Sequence, residues 1–123
     1  MGRSEYLDLP DPGTLRRIIR NRQLRAELFT AGLFADPAWD MLLDLTAARL
    51  ERRRVSVSSL CMASGVPSTT ALRWIRVMED NALIRREDDA IDRRRSYVTL
   101  TDQAISAMAR YFAATGAQAD SQF

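Results

Sequence analysis

The chain contains no histidine and no lysine, and its one cysteine is Cys61. Without histidine there is no Ser-His-Asp triad, no histidine general base and no histidine-ligated metal. A single cysteine rules out an intrachain disulfide and a cysteine-built zinc cluster. Lacking lysine, the chain has neither a Schiff-base amine nor the phosphate-gripping lysine of a Walker loop. Carboxylates remain, but no two of them form a recognisable catalytic pair. An enzyme is not expected, and the residues require no cofactor and no metal. No apolar run approaches the roughly 20 residues of a membrane span. The opening MGRSEYLDLPDPG carries no apolar signal core, so a cytoplasmic location is the expectation.

What is present suits one globular domain: 123 residues, 46% of them apolar and 28% charged. All 18 basic residues are arginine, and the formal net charge of +2 is too small to indicate a nucleic acid by itself. Its distribution is uneven. Arg16, Arg17, Arg20, Arg22 and Arg25 face a single acid, Glu27, between Thr14 and Ala31, and eleven further arginines lie between Arg49 and Arg95.

Residues 1–13 read as a flexible tail ending in the turn residues Pro10 to Gly13. The spacing predicts a helix capped by Thr14 and running to about Phe29, within a segment 14–35. Asp36-Pro37 starts a second helix that should reach about Arg53. Ser56 caps a short third one, with Val57, Leu60 and Cys61 inward. Gly65 to Pro67 is a tight turn, followed by a helix from about Ser68 to Asp80. Leu83–Arg86 and Ser96–Leu100 read as strands joined by an eight- or nine-residue loop. Thr101 caps a last helix in 102–123 carrying Ile105, Met108 and Phe112, with a frayed end from Gly116. The fold class is therefore mainly α with a small β-hairpin: a winged helix-turn-helix over 36–101, flanked by N- and C-terminal helices.

The helix STTALRWIRVMED has two stripes. Ala71, Trp74, Ile75 and Met78 share one face, while Thr69, Leu72, Arg73 and Arg76 are shifted by two residues, about 200° of rotation. One stripe should dock on the core and the other turn outward. Arginine and threonine on an outward helix suit a DNA major groove, where guanidinium donates to guanine and the hydroxyl meets phosphate or a thymine methyl. The plainer possibility is a solvated face in which Arg76 pairs with Asp80. Trp39 and Trp74 read as core anchors, and Cys61 as an inert packed thiol.

In the stretch IDRRRSYVTLT, Val98 and Leu100 fall on one side of a strand, with three arginines at its loop end. An arginine there can enter a narrow minor groove; alternatively Asp88, Asp89 and Asp92 neutralise the arginines locally. Arg52 to Arg54 add phosphate contacts or solvate a turn.

From about Asp36 to Thr101 the chain resembles the MarR-type winged-helix transcription regulators. The likeness rests on Leu60-Cys61-Met62-Ala63-Ser64-Gly65-Val66, on Thr70 to Arg73, and on Met78-Glu79 ahead of Ala82-Leu83-Ile84. The most specific pattern is Asp92-x-Arg94-x-x-x-Val98-x-Leu100-Thr101, which fixes a loop, a strand and a helix cap together. It implies that Arg94 is the wing arginine for the minor groove and that Asp92 helps hold it. Ser68, Thr69, Arg73 and Arg76 fall on recognition-helix positions.

The family's dimer is built from terminal helices, which makes Ile18, Ile19, Met108 and Phe112 interface candidates beside their reading as intrachain core. Three departures stand out. Pro67 occupies a common capping-Ser position, so Ser68 should cap instead. Ala82 replaces the usual Gly, leaving Asn81 to take any left-handed turn. The segment after the wing is short.

The expectation is a homodimeric, sequence-specific regulator of double-stranded DNA. Ser68, Thr69, Arg73 and Arg76 would lie at the major groove, Arg94 with Asp92 at the minor groove, and Arg93 and Arg95 on the backbone. Operator, effector and sign of regulation stay open. The alternative is a winged-helix adaptor that binds protein and not DNA.

Overall fold

The computed structural model describes residues 8–30 and 32–116. Its elements are α1 (Pro12–Leu28), α2 (Pro37–Leu50), β1 (Val55–Ser56), α3 (Val57–Ala63), α4 (Ser68–Asp80), β2 (Ile84–Asp88), β3 (Ser96–Leu100) and α5 (Asp102–Thr115). The strands form one antiparallel sheet in the order β1-β3-β2. No helix among the described residues is long and apolar enough to cross a membrane.

The first helix starts earlier than its sequence suggests. Asp11 is the N-cap, accepting the Thr14 backbone N–H at 2.9 Å, and Pro12 opens the helix. An aspartate ahead of a first-turn proline is a stronger cap than threonine, because its carboxylate also meets the helix dipole. Leu9 is buried beside Leu15 and Ile18, so the expected tail is already packed at Leu9. Residues 1–7, and the end expected to fray beyond Gly116, lie outside the described residues.

Two helix ends share an unusual closure. After α2, Arg52 N–H donates to Arg49 O at 3.1 Å and Arg53 N–H to Ala48 O at 2.8 Å. After α4, Ala82 N–H donates to Glu79 O at 2.9 Å and Leu83 N–H to Met78 O at 3.0 Å. These are Schellman closures, whose pivot is ordinarily glycine. Here Arg52 (φ 58°) and Ala82 (φ 59°) take the left-handed conformation, at a cost of about 1–2 kcal/mol each. Asn81 does not absorb the turn: its φ is −90°, and its side-chain amide donates to Val77 O instead. The Arg52 pivot also ends α2 at Leu50, short of Arg53.

Two apolar clusters divide the molecule. One joins Met41, Leu45 and Ala48 of α2 to Leu60, Ala71, Ile75, Met78, Ile84, Val98 and Leu100, the winged-helix unit. The other joins Leu15, Ile18, Leu43, Ala47, Met108, Ala109 and Phe112, with Ile19 and Trp39 packed against it. Because α2 feeds both, its burial on more than one face is what holds the two parts together. Each fully buried Leu or Ile contributes about 1.5–3 kcal/mol. Ile18, Met108 and Phe112 are therefore covered within a single chain, as core rather than as an exposed interface.

Candidate nucleic-acid interface

The turn between α3 and α4 is set by a small residue and a hydroxyl. Buried Ser64 donates its hydroxyl to Cys61 O at 2.6 Å and accepts the Val66 N–H at 3.3 Å, while Gly65 supplies φ +75°. Cys61 is buried, and desolvation pushes its thiol pKa up, opposite to the lowered pKa that a reactive thiol needs.

This turn aims α4. Ala71, Ile75 and Met78 are buried, so Thr69, Leu72, Arg73 and Arg76 on the opposite face are exposed. Trp74 is 38% exposed. It lies at the edge of the buried stripe, so it is not the core anchor its spacing suggested; Trp39 packs against Tyr111 at 4.8 Å between ring centres. Neither Arg73 nor Arg76 has an ion pair among the described residues, so Arg76 is not held by Asp80. Pro67 itself is the N-cap of α4 and makes no side-chain cap bond, and Ser68 is the first helical residue. A proline cap has no side-chain acceptor, which leaves first-turn N–H groups facing outward beside two hydroxyls.

The wing loop spans residues 89–95 between β2 and β3. Asp89 accepts the Ile91 and Asp92 backbone N–H groups at 2.8 and 3.3 Å. Asp92 accepts both the Arg94 backbone N–H and its Nε at 3.1 Å. Backbone donors from Ile91 and Asp92 hold the Asp89 carboxyl below its usual range, and the Arg94 side chain does the same for Asp92. The Arg94 side chain nevertheless remains 91% exposed. The acids thus shape the loop without covering its arginine. Arg93 is exposed as well.

Below the loop lies a groove of about 670 Å3 lined by Arg54, Ser56 to Ser59, Arg86, Arg94, Arg95, Ser96 and Tyr97. Arg54 sits over the Tyr97 ring at 3.7 Å, and Arg86 grips Glu79 of α4 with two donors at 2.9 Å. Nothing in the linear sequence marks Ser58, Ser59, Arg86 or Tyr97 as members of a site. Their signal was available only through β1, a two-residue strand that places the start of α3 beside β3. Arg94 and Arg95 are brought together with these residues. Ser68, Thr69, Arg73 and Arg76 lie apart on α4, and among the described residues no hydrogen bond links them to the wing loop.

Comparison with protein-family models gives no match, and comparison with curated proteins gives none. Solved structures do match. MepR of S. aureus in its DNA-binding conformation aligns at TM-score 0.56 and 21% identity, over 78% of this chain and 66% of that one. AbsC, a MarR family transcriptional regulator from Streptomyces coelicolor, aligns at 0.56 and 23%, over 88% and 68%. The heme sensor protein PefR from Streptococcus agalactiae, in complex with heme, aligns at 0.52 and 17%, over 80% and 70%. The chain spans about two thirds of the length of the MepR structure. The likeness is one of fold: the chain has the winged helix-turn-helix fold of MarR-type regulators.

Proposed function

We propose that this protein is a sequence-specific, double-stranded DNA-binding regulator. The single observation carrying the reading is the outer face of α4, where Thr69, Arg73 and Arg76 stand exposed and, among the described residues, no acid pairs with either arginine. An arginine left unpaired on a rigid helix is free to make the two-pronged contact with guanine. Ser68, Thr69 and the uncapped first-turn N–H groups suit a phosphate. Arg94 would take the minor groove with Asp92 behind it, and Arg93 and Arg95 the backbone. The groove between the start of α3 and the wing gives the strand a path past Arg54, Ser58 and Arg86.

The reading includes a homodimer. Leu24, Leu28, Phe29, Leu33 and Phe34 are 41–69% exposed at the end of α1 and the turn after it, an apolar group of the kind that association covers. Sedimentation of wild type against Leu28→Glu tests this, and an unchanged monomer mass for both rejects it.

DNA binding is tested with a labelled generic duplex across a salt series, with Arg73→Ala alongside. Affinity should fall log-linearly with salt, at a slope of about −0.9 per phosphate contact. Arg73→Ala should lose about 1–3 kcal/mol on a preferred duplex and less on others. Folded protein that binds no duplex at about 50 mM salt would reject the reading and favour a protein-binding winged helix.

A further inference from the structure

The sheet has a second face, turned away from α4. The register pairs Arg85 with Thr99 and Glu87 with Tyr97 on it, while Ile84, Val98 and Leu100 point into the core with α4. Beyond the short β1, this outer face and the C-terminal end of α2 enclose a groove of about 350 Å3. Five arginines line it (Arg49, Arg52, Arg53, Arg54 and Arg85) against one acid, Glu87.

Three of these guanidiniums are engaged. Arg49 donates to Leu100 O at 3.0 Å and lies 3.8 Å from Asp102. Arg53 pairs with Glu51 at 3.0 Å, and Arg54 stacks on Tyr97. Arg52 and Arg85 have no ion pair among the described residues. The Thr99 hydroxyl, in the groove wall, is buried and has no hydrogen-bond partner among them either. Arg52 is also the left-handed pivot after α2, so a costly backbone conformation places this residue in the groove lining.

We propose that this groove binds a small molecule carrying two or more negative charges on phosphate groups. Two unpaired guanidiniums, with the Arg54 charge beside them, exceed what one carboxylate would neutralise. The guanidinium fork matches phosphate oxygens two at a time. The volume is that of a small-ligand pocket, and its concave form on the face away from α4 suits a compact anion better than a continuous duplex. Arg54 and Tyr97 line both this groove and the one under the wing. A ligand here therefore has a direct route to the other groove.

The test is calorimetric titration with inorganic pyrophosphate at fixed ionic strength and without DNA, so that it is independent of the duplex assay. The expected result is saturable binding, one per chain, weakened at least ten-fold by Arg85→Ala and by Arg52→Ala and unchanged by Arg73→Ala. Both losses are read on protein shown to be folded; Arg85 makes no ion pair among the described residues, so its loss is expected to leave the fold intact. Absence of saturation overturns the proposal, as does equal weakening by Arg73→Ala. If pyrophosphate does not bind while Arg85→Ala lowers duplex affinity, the groove belongs to the DNA backbone and the proposal is likewise overturned.

Discussion

Arg16 and Arg94 are the same residue put to opposite uses. Arg16, on α1, is 23% exposed and holds Asp44 and Glu51, each at 2.8 Å, across to α2 and the turn after it. Arg94, on the wing, is 91% exposed, and its acid is two residues away in its own loop. The first clamps two parts of the fold together; the second is presented to solvent by a partner that leaves most of it uncovered. Arg22 follows Arg16, pairing with Asp40 of α2. In the linear chain the α1 arginines looked like a positive stretch facing one acid, Glu27. In the fold, acids of α2 and its C-terminal turn neutralise two of them. Local charge counts therefore misjudge α1, and they serve α4, where Arg73 and Arg76 have no ion pair among the described residues.

The largest effect that separates the two regions is on stability. Arg16→Met strands Asp44 and leaves Glu51 to Arg53 alone, both acids being partly buried, and should cost about 2 kcal/mol, between the values for a surface pair and a buried one. Duplex affinity of the folded variant should not change. Denaturant unfolding with a parallel binding assay checks both, and lost affinity in folded Arg16→Met would break the division. Arg94→Ala should do the reverse. Unfolding should stay within about 0.5 kcal/mol of wild type, while duplex affinity drops by about 1–2 kcal/mol and the salt slope flattens.

Acid titration gives a smaller, independent reading of the clamp. The Arg16 side chain beside Glu51 lowers its carboxyl from the ordinary 4.5 to about 2. A pKa lower in the folded state means that the unfolded chain binds the proton more readily. The contribution is complete above about pH 4.5, declines as pH falls, and is gone near pH 2. Because the carboxylate keeps solvent contact, it is worth about 1 kcal/mol rather than the full shift. In Arg16→Met the decline across that window should be shallower, which urea melts at stepped pH will show.

How far the sequence foretells the molecule depends on the range of the interaction. Ser56, Thr101 and the Gly65 turn were legible because a cap or a left-handed glycine is settled within four residues. The α4 stripes were legible because helical period is local, although Trp74 at the stripe's edge was not. What escaped was decided across the chain. β1 has no signal of its own and exists only through β3. Ala82 could be left-handed because neighbouring bonds outweigh its strain: Thr101 donates its hydroxyl to Ala82 O at 2.7 Å and its N–H to Leu83 O at 3.1 Å. Of the candidate interface, the α4 and wing residues were visible as types. The groove joining the wing to Ser58 and Arg86 was not, because it is made by strand pairing.

The smallest effect is the most discriminating, because two accounts of Asp92 predict opposite signs. If the acid merely cancels wing charge, Asp92→Asn adds a unit of positive charge near phosphate and should tighten binding to any duplex by a few tenths of a kcal/mol at physiological salt. If it positions Arg94, the geometry decides. Its Oδ1 fixes both the Arg94 backbone N–H and Nε, and an asparagine carbonyl keeps the acceptor while losing the charge that strengthens both bonds. The guanidinium then points less consistently, and the narrow minor groove that depends on its aim should lose about 0.5 kcal/mol of preference. We expect the affinity ratio between an A·T-tract duplex and a G·C-rich one to fall in Asp92→Asn even as G·C binding rises slightly. A uniform gain on both duplexes would show that Asp92 acts by charge alone, and the contrast between Arg16 and Arg94 would then rest on exposure without positioning.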